Sequence, residues 1–205
     1  MNHKEYLELL TEDLNTLFSK EQTSDSAPKR ETEHSFRVKV LVFHLHADYL
    51  LSEIIKGKFQ GNLSLTQNKE NFNTNNMGFI EKLRIIYSTG NFEEGLFTTL
   101  RILNNVRNKL SHNLIIDLTE EEQRIRTLKI SSIIVGEDIS KITTLEHLLY
   151  GTLTDILILA EYLYQDVLGE ELKWMLGVQI PRVGVAPEKY PILSVVPITE
   201  MGEII

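Results

Sequence analysis

Phe92–Asn113 reads FEEGLFTTLRILNNVRNKLSHN, and its apolar spacing decides the fold. Leu96, Leu100, Leu103 and Leu110 recur at the helical period, so the segment predicts an amphipathic helix from near Asn91 or Phe92 to near His112-Asn113. Arg107, Asn108, Lys109, Ser111 and His112 crowd its last turns. Between Gly95 and Ile116 there is no Asp or Glu, while Arg101, Arg107 and Lys109 are present. The segment is therefore locally basic in a chain of net charge -8. Such a chain does not coat nucleic acid nonspecifically, which needs many cations to displace counterions from phosphates. Any RNA contact is expected at this basic patch, through Arg101 and Lys109. An ordinary solvated helix face accounts for the same charges.

Outward from that helix, the same period recurs. Tyr6, Leu7, Leu10, Leu14 and Phe18 predict a first short helix, followed by a polar linker over Ser19–Ser35 that contains Pro28. Val40, Phe43, Leu45, Leu50, Leu51, Ile54 and Ile55 predict a long helix from Phe36 to Ile55, ending at Lys56-Gly57. Gln60–Asn76 holds six Asn residues and reads as a surface loop. Phe79, Leu83, Ile86 and Tyr87 predict a helix stopped by Thr89-Gly90. Thr119 with Glu122 suggests a capping box opening a helix to about Ile130, and Thr143 with Glu146 opens the last long helix. Only Ile130–Val135 looks strand-like. The expected fold is all-α, an antiparallel bundle of about five to six helices with a non-helical, Pro-containing C-terminal tail.

The 205 residues suffice for one hydrophobic core, divided as residues 1–35 (helix and linker), 36–168 (bundle) and 169–205 (C-terminal extension). The absence of Cys excludes disulfides, thiolate zinc sites and Cys nucleophiles. No apolar run is long enough for a membrane span, and the N-terminus lacks the pattern of a secretory signal, so a cytoplasmic location is expected. Pro181, Pro187, Pro191 and Pro197 alternate with Val, Ile and Leu in the tail, which is too apolar for an ordinary disordered segment. It packs back on the bundle, or it wraps a second subunit or another protein.

Arg, Asn and His at that spacing suit metal-free RNA cleavage. The ribose 2'-hydroxyl attacks the adjacent phosphorus, His112 moves a proton near neutral pH, Arg107 stabilises the phosphoryl oxygens, and Asn108 positions by hydrogen bonding. DNA lacks that hydroxyl and would not be cut. On an ideal helix Asn108 lies about 40° from His112, but Arg107 lies about 140° away. One helix does not bring Arg107 and His112 together; two motif helices at a two-fold axis would, which predicts a homodimer. Alternatively, these residues only complement the helix dipole and cap free carbonyls. His44 and His46, about 160° apart on a helix, are not a paired metal-ligand set and are assigned packing or solvent roles. His3, His34 and His147 are isolated, and no cofactor loop or metal site is predicted.

Arg107-Asn108-Lys109-Leu110-Ser111-His112 resembles the Arg-x4-His signature of the HEPN superfamily, helical bundles that include metal-independent RNases, toxins and phage-defence effectors. His44–Leu51 resembles the early helix of such proteins and Met77–Gly90 the helix before the motif; the likeness covers about Phe36–Leu168 and is greatest to the mannitol operon repressor branch. It implies catalytic roles for Arg107, His112 and Asn108, supported by Lys109, Ser111 and an acidic residue on the early helix. Here that acid is Asp48, one methylene shorter than the usual Glu. Toxins silenced by nucleotidyltransferase antitoxins carry a Tyr two residues after the motif His; Leu114 stands there in this chain, so that control is not expected. Two functions follow. One is a dimeric endoribonuclease of a toxin-antitoxin or antiviral defence system; the other is a noncatalytic regulator or assembly subunit that binds a protein partner through its tail.

Overall fold

The computed structural model describes residues 2–18, 29–60, 74–89, 92–112, 119–128, 143–170, 172–179 and 192–199. These contain six α-helices: α1 (His3–Phe18), α2 (Lys29–Gln60), α3 (Phe79–Ser88), α4 (Glu94–His112), α5 (Glu122–Arg126) and α6 (Thr144–Tyr162). A wider π-helical turn, Leu163–Leu168, continues α6. The fold is an all-α bundle. Its core draws Leu7, Leu10 and Leu14 from α1, Phe43, Leu50 and Ile54 from α2, Leu83 from α3, Leu100 and Leu103 from α4, and Leu153 and Ile156 from α6. Each fully buried side chain of this kind contributes roughly 1.5–3 kcal/mol. Among the described residues, no helix is long and apolar enough to cross a membrane.

Local chemistry sets several helix ends. At α6 the Glu146 amide donates to Thr143 Oγ1 at 3.2 Å and the Thr143 amide to Glu146 Oε2 at 2.7 Å, the reciprocal box read from the sequence. Helix α5 differs from expectation: it starts at Glu122 and stops at Arg126. The amides of Thr127 and Leu128 bond back three residues, to Arg124 and Ile125, so the last turn tightens and closes the helix. The Leu128 carbonyl then accepts a hydrogen bond from His147 Nε2 at 2.9 Å, which ties α5 to α6. Residues 19–28, most of the Asn-rich loop and Ile130–Val135 lie outside the described residues; Thr74–Asn76 forms a short 3-10 turn with Thr74 buried.

Helix α2 departs from expectation at both ends. It begins at Lys29, inside the stretch expected to be a linker, and runs past Gly57 to Gln60. Gly57 does not stop the helix because its missing side chain serves packing: a Cβ there would collide with Val167 Cγ1 of the π turn. Gly169, with φ 72°, then ends the π turn in the left-handed conformation and directs the chain into the tail.

Helix α1 docks on α2 through a buried polar chain. Asp13 Oδ2 lies 2.9 Å from His46 Nε2, so that nitrogen carries the proton and Nδ1 accepts from the Tyr6 hydroxyl at 3.3 Å. Tyr6 also stacks on Tyr49 at 4.0 Å. The Tyr164 hydroxyl donates to the His3 carbonyl, joining the start of the π turn to the start of α1. The tail forms an antiparallel ribbon of β1 (Leu172–Gln179) and β2 (Ile192–Thr199), pairing Leu172 with Thr199 and Gln179 with Ile192. Pro197 sits opposite Trp174; a two-stranded ribbon has only edge strands, where a residue without an N–H is tolerated. Strand β2 runs against α1, and Leu172 is buried in the core, so the described part of the tail lies on its own bundle.

Two stability predictions follow from this packing. Gly57→Ala should lower stability by about 1–3 kcal/mol through overpacking, despite the better helix propensity of Ala. Adding Val167→Ala should recover much of the loss in urea unfolding; no recovery would show that the contact is not the cause. Asp155 on α6 is buried, and its Oδ2 has no hydrogen-bond partner. Burial pushes its carboxyl up to about 7, against a smaller opposing pull from the Thr99 side chain on α4. Folded protein therefore holds a proton that the unfolded chain releases near pH 4, at about 3.9. The associated stability is present in full below that value and is lost as pH rises through about 7. Asp155→Asn cannot ionise and should gain on the order of 3–4 kcal/mol over the parent at about pH 8 and almost nothing at about pH 4. Melting curves at the two pH values measure this, and equal gains at both would refute it.

Candidate functional site

The site lies on the seam between α2 and α4. Arg37 Nη1 donates to the Leu110 carbonyl at 2.9 Å, and His44 Nε2 lies 3.1 Å from Asn104 Oδ1. Increasing numbers on α2 thus meet decreasing numbers on α4, and the two helices run antiparallel. Leu96, Leu100, Leu103, Val106 and Leu110 of α4 face the core, which leaves Arg101, Asn105, Asn108 and His112 on its outer face.

The motif residues occupy distinct positions. Arg107 is half-buried, and its Nη1 donates to Asn108 Oδ1 at 2.9 Å. His112 is exposed and has no hydrogen bond or ion pair among the described residues. The Ser111 hydroxyl donates to the Arg107 carbonyl at 3.0 Å, a bond internal to the helix. The described contacts bring Arg107 to Asn108, but not to His112. This fits their wide angular separation on one helix.

Lys109 and Asp48 are both engaged in ion pairs. Lys109 Nζ lies 2.9 Å from Glu120 Oε2 and 2.8 Å from Glu121 Oε1. These hydrogen-bonded carboxylates hold its ammonium protonated above the ordinary lysine value. The positive patch is consequently weaker in space than along the sequence, because the two glutamates that follow fold back onto it. Asp48 binds Lys82 Nζ of α3 through both oxygens at 2.8 Å. Arg101 is exposed, with its guanidinium 5.8 Å from the centre of the Phe97 ring.

Sequence reasoning did not single out Arg37, Lys82 and Asn104, and it assigned His44 a packing or solvent role, which its burial bears out. His44 is buried, bonded to Asn104 and stacked on Phe79 with ring centres 4.4 Å apart. Burial lowers its pKa below the ordinary histidine value; the Asn104 bond opposes this, Arg107 and Lys82 add to the lowering, and Asp48 opposes it. Arg107 therefore acts on His44 electrostatically. A usable signal existed: Arg37, His44 and Asp48 recur at seven- and four-residue steps on one side of α2. Among the described residues, no three His, Asp or Glu side chains gather into a metal-binding group.

No family model matches the chain, and comparisons with curated proteins and with solved structures found no match.

Among the described contacts, a side chain of α2 caps the last turn of α4. Arg37 satisfies the Leu110 carbonyl from α2 and places a cation at the negative end of α4. Arg37→Ala should lower stability by at least about 1 kcal/mol, whereas His112→Ala should stay within about 0.5 kcal/mol of the parent. Urea unfolding measures both; the reverse ranking would return His112 to a capping role.

Proposed function

We propose that this chain is a metal-independent endoribonuclease of the HEPN type, acting as a toxin or phage-defence effector in a homodimer. One observation carries the reading. His112 is exposed without a partner among the described residues, while Arg37 caps the Leu110 carbonyl from α2. Elsewhere on the same helix the Arg107 guanidinium donates to Asn108, a planar fork suited to a phosphodiester. The 2'-hydroxyl attacks phosphorus, His112 moves a proton as acid or base, and Arg107 stabilises the charge that develops on the phosphoryl oxygens. The separation of Arg107 and His112 on α4 favours a composite site in which two motif helices meet at the dimer axis.

Purified protein should cut RNA in EDTA, leave 2',3'-cyclic phosphate ends and spare DNA of the same sequence. Arg107→Ala and His112→Ala should each reduce the cleavage rate by about 100-fold or more. Mixing the two variants should restore part of the activity when the site is composite. Intact RNA with the parent protein, together with His112→Ala cells that behave like the parent, would remove the enzymatic reading.

A further inference from the structure

We propose that His44 is the general base of this site, taking the 2'-hydroxyl proton on Nδ1, with Asn104 as the residue that positions it. The proposal rests on the ribonuclease reading above and adds a second imidazole to it, one supplied by α2.

The geometry around His44 is that of an oriented base. Asn104 presents Oδ1, an acceptor, so the ring nitrogen facing it, Nε2, carries the hydrogen at 3.1 Å. The lone pair then belongs to Nδ1. That atom has no hydrogen-bond partner among the described residues. It is not among the buried side-chain atoms left without a partner, which in the described residues are His3 Nδ1, Thr74 Oγ1, His147 Nδ1 and Asp155 Oδ2, and His44 keeps a small exposed fraction. Phe79 stacks on the ring and fixes its plane. The charged groups facing it come from every adjoining element: Arg107 on α4, Lys82 on α3 and Asp48 on α2 itself. Burial and the two cations keep the imidazole neutral at physiological pH, the form a base requires. His112, exposed and without an orienting partner among the described residues, lacks these constraints.

The two histidines then divide the proton transfers. The proton of the 2'-hydroxyl passes to Nδ1 of His44 as the 2'-oxygen to phosphorus bond forms. The bond from phosphorus to the 5'-oxygen breaks, and its electron pair stays on that oxygen. His112, as the general acid, gives it a proton. The products are a 2',3'-cyclic phosphate and a 5'-hydroxyl. Arg107, beside His44, neutralises the phosphoryl oxygens throughout.

The test uses the full chain, a labelled RNA oligonucleotide pool and EDTA, with kcat/KM followed from about pH 5 to about pH 9. His44→Gln should lose about 100-fold or more and flatten the acid side of the profile. Asn104→Asp should move the acid limb upward by about one pH unit, because a carboxylate at Nε2 favours the protonated ring. A purely packing role for His44 predicts no such movement. If the parent cuts RNA, Arg107→Ala does not, and folded His44→Gln keeps the parental rate and profile, the assignment of His44 is overturned while the ribonuclease reading stands. An inert parent overturns both. Should His44→Gln fail to fold, Asn104→Asp decides, and an unmoved acid limb in that variant refutes the proposal.

Discussion

The hydrogen bond between the His44 ring and the Asn104 side chain joins α2 to α4 where both helices are buried. Its position along the two helices fixes what can meet at the seam. With His44 opposite Asn104, Arg37 reaches the last carbonyls of α4, and the next turns of α2 and α3 bring Asp48 and Lys82 together. A buried polar pair costs its desolvation unless both partners are satisfied, so it disfavours any sliding of α2 along α4. Apolar side chains alone would tolerate such a slip far better, because they pack without directional bonds. The polar pair thus supplies alignment, and the surrounding leucines supply most of the stabilisation.

Electrostatics at the seam depends on which charges are already paired. Lys82 and Asp48 neutralise one another, and Lys109 is held by Glu120 and Glu121. What remains toward solvent is the guanidinium of Arg107 with Asn108, the ring of His112 and Arg101. This is a smaller and more directed positive feature than the acid-free stretch of sequence suggests. It is a localised feature, not a broad electrostatic surface, in keeping with the negative charge of the whole chain.

The bundle was legible where the signal is local. The stripe of leucines on α4 and the Thr143–Glu146 box are satisfied by interactions within a few residues, and both sit where periodicity places them. The failures are non-local. Gly57 reads as a stop until Val167, more than a hundred residues later, is known to fill the space where a side chain would be. The early start of α2 at Lys29 overrides a composition rich in Ser, Thr and Glu, and weak propensity often yields to tertiary context. At the site, Arg107, Asn108 and His112 were visible because they cluster in sequence. Asn104 and Lys82 were not, and His44 was legible only as a packing residue, since three separate helices contribute them and only the fold shows which face each one presents.

The last strand of the ribbon lies along the first helix, and Tyr164 reaches back to His3. The first helix and the last described strand therefore pack on the same part of the molecule. During synthesis α1 leaves the ribosome first, yet the surface that β2 covers stays open until residues 192–199 have emerged. Contacts of such large sequence separation form late and slow the search for the native state. A nascent chain lacking its final segment carries the motif helix and most of the core with one flank of α1 uncovered. Emergence of β2 is thus the step that covers this flank of α1.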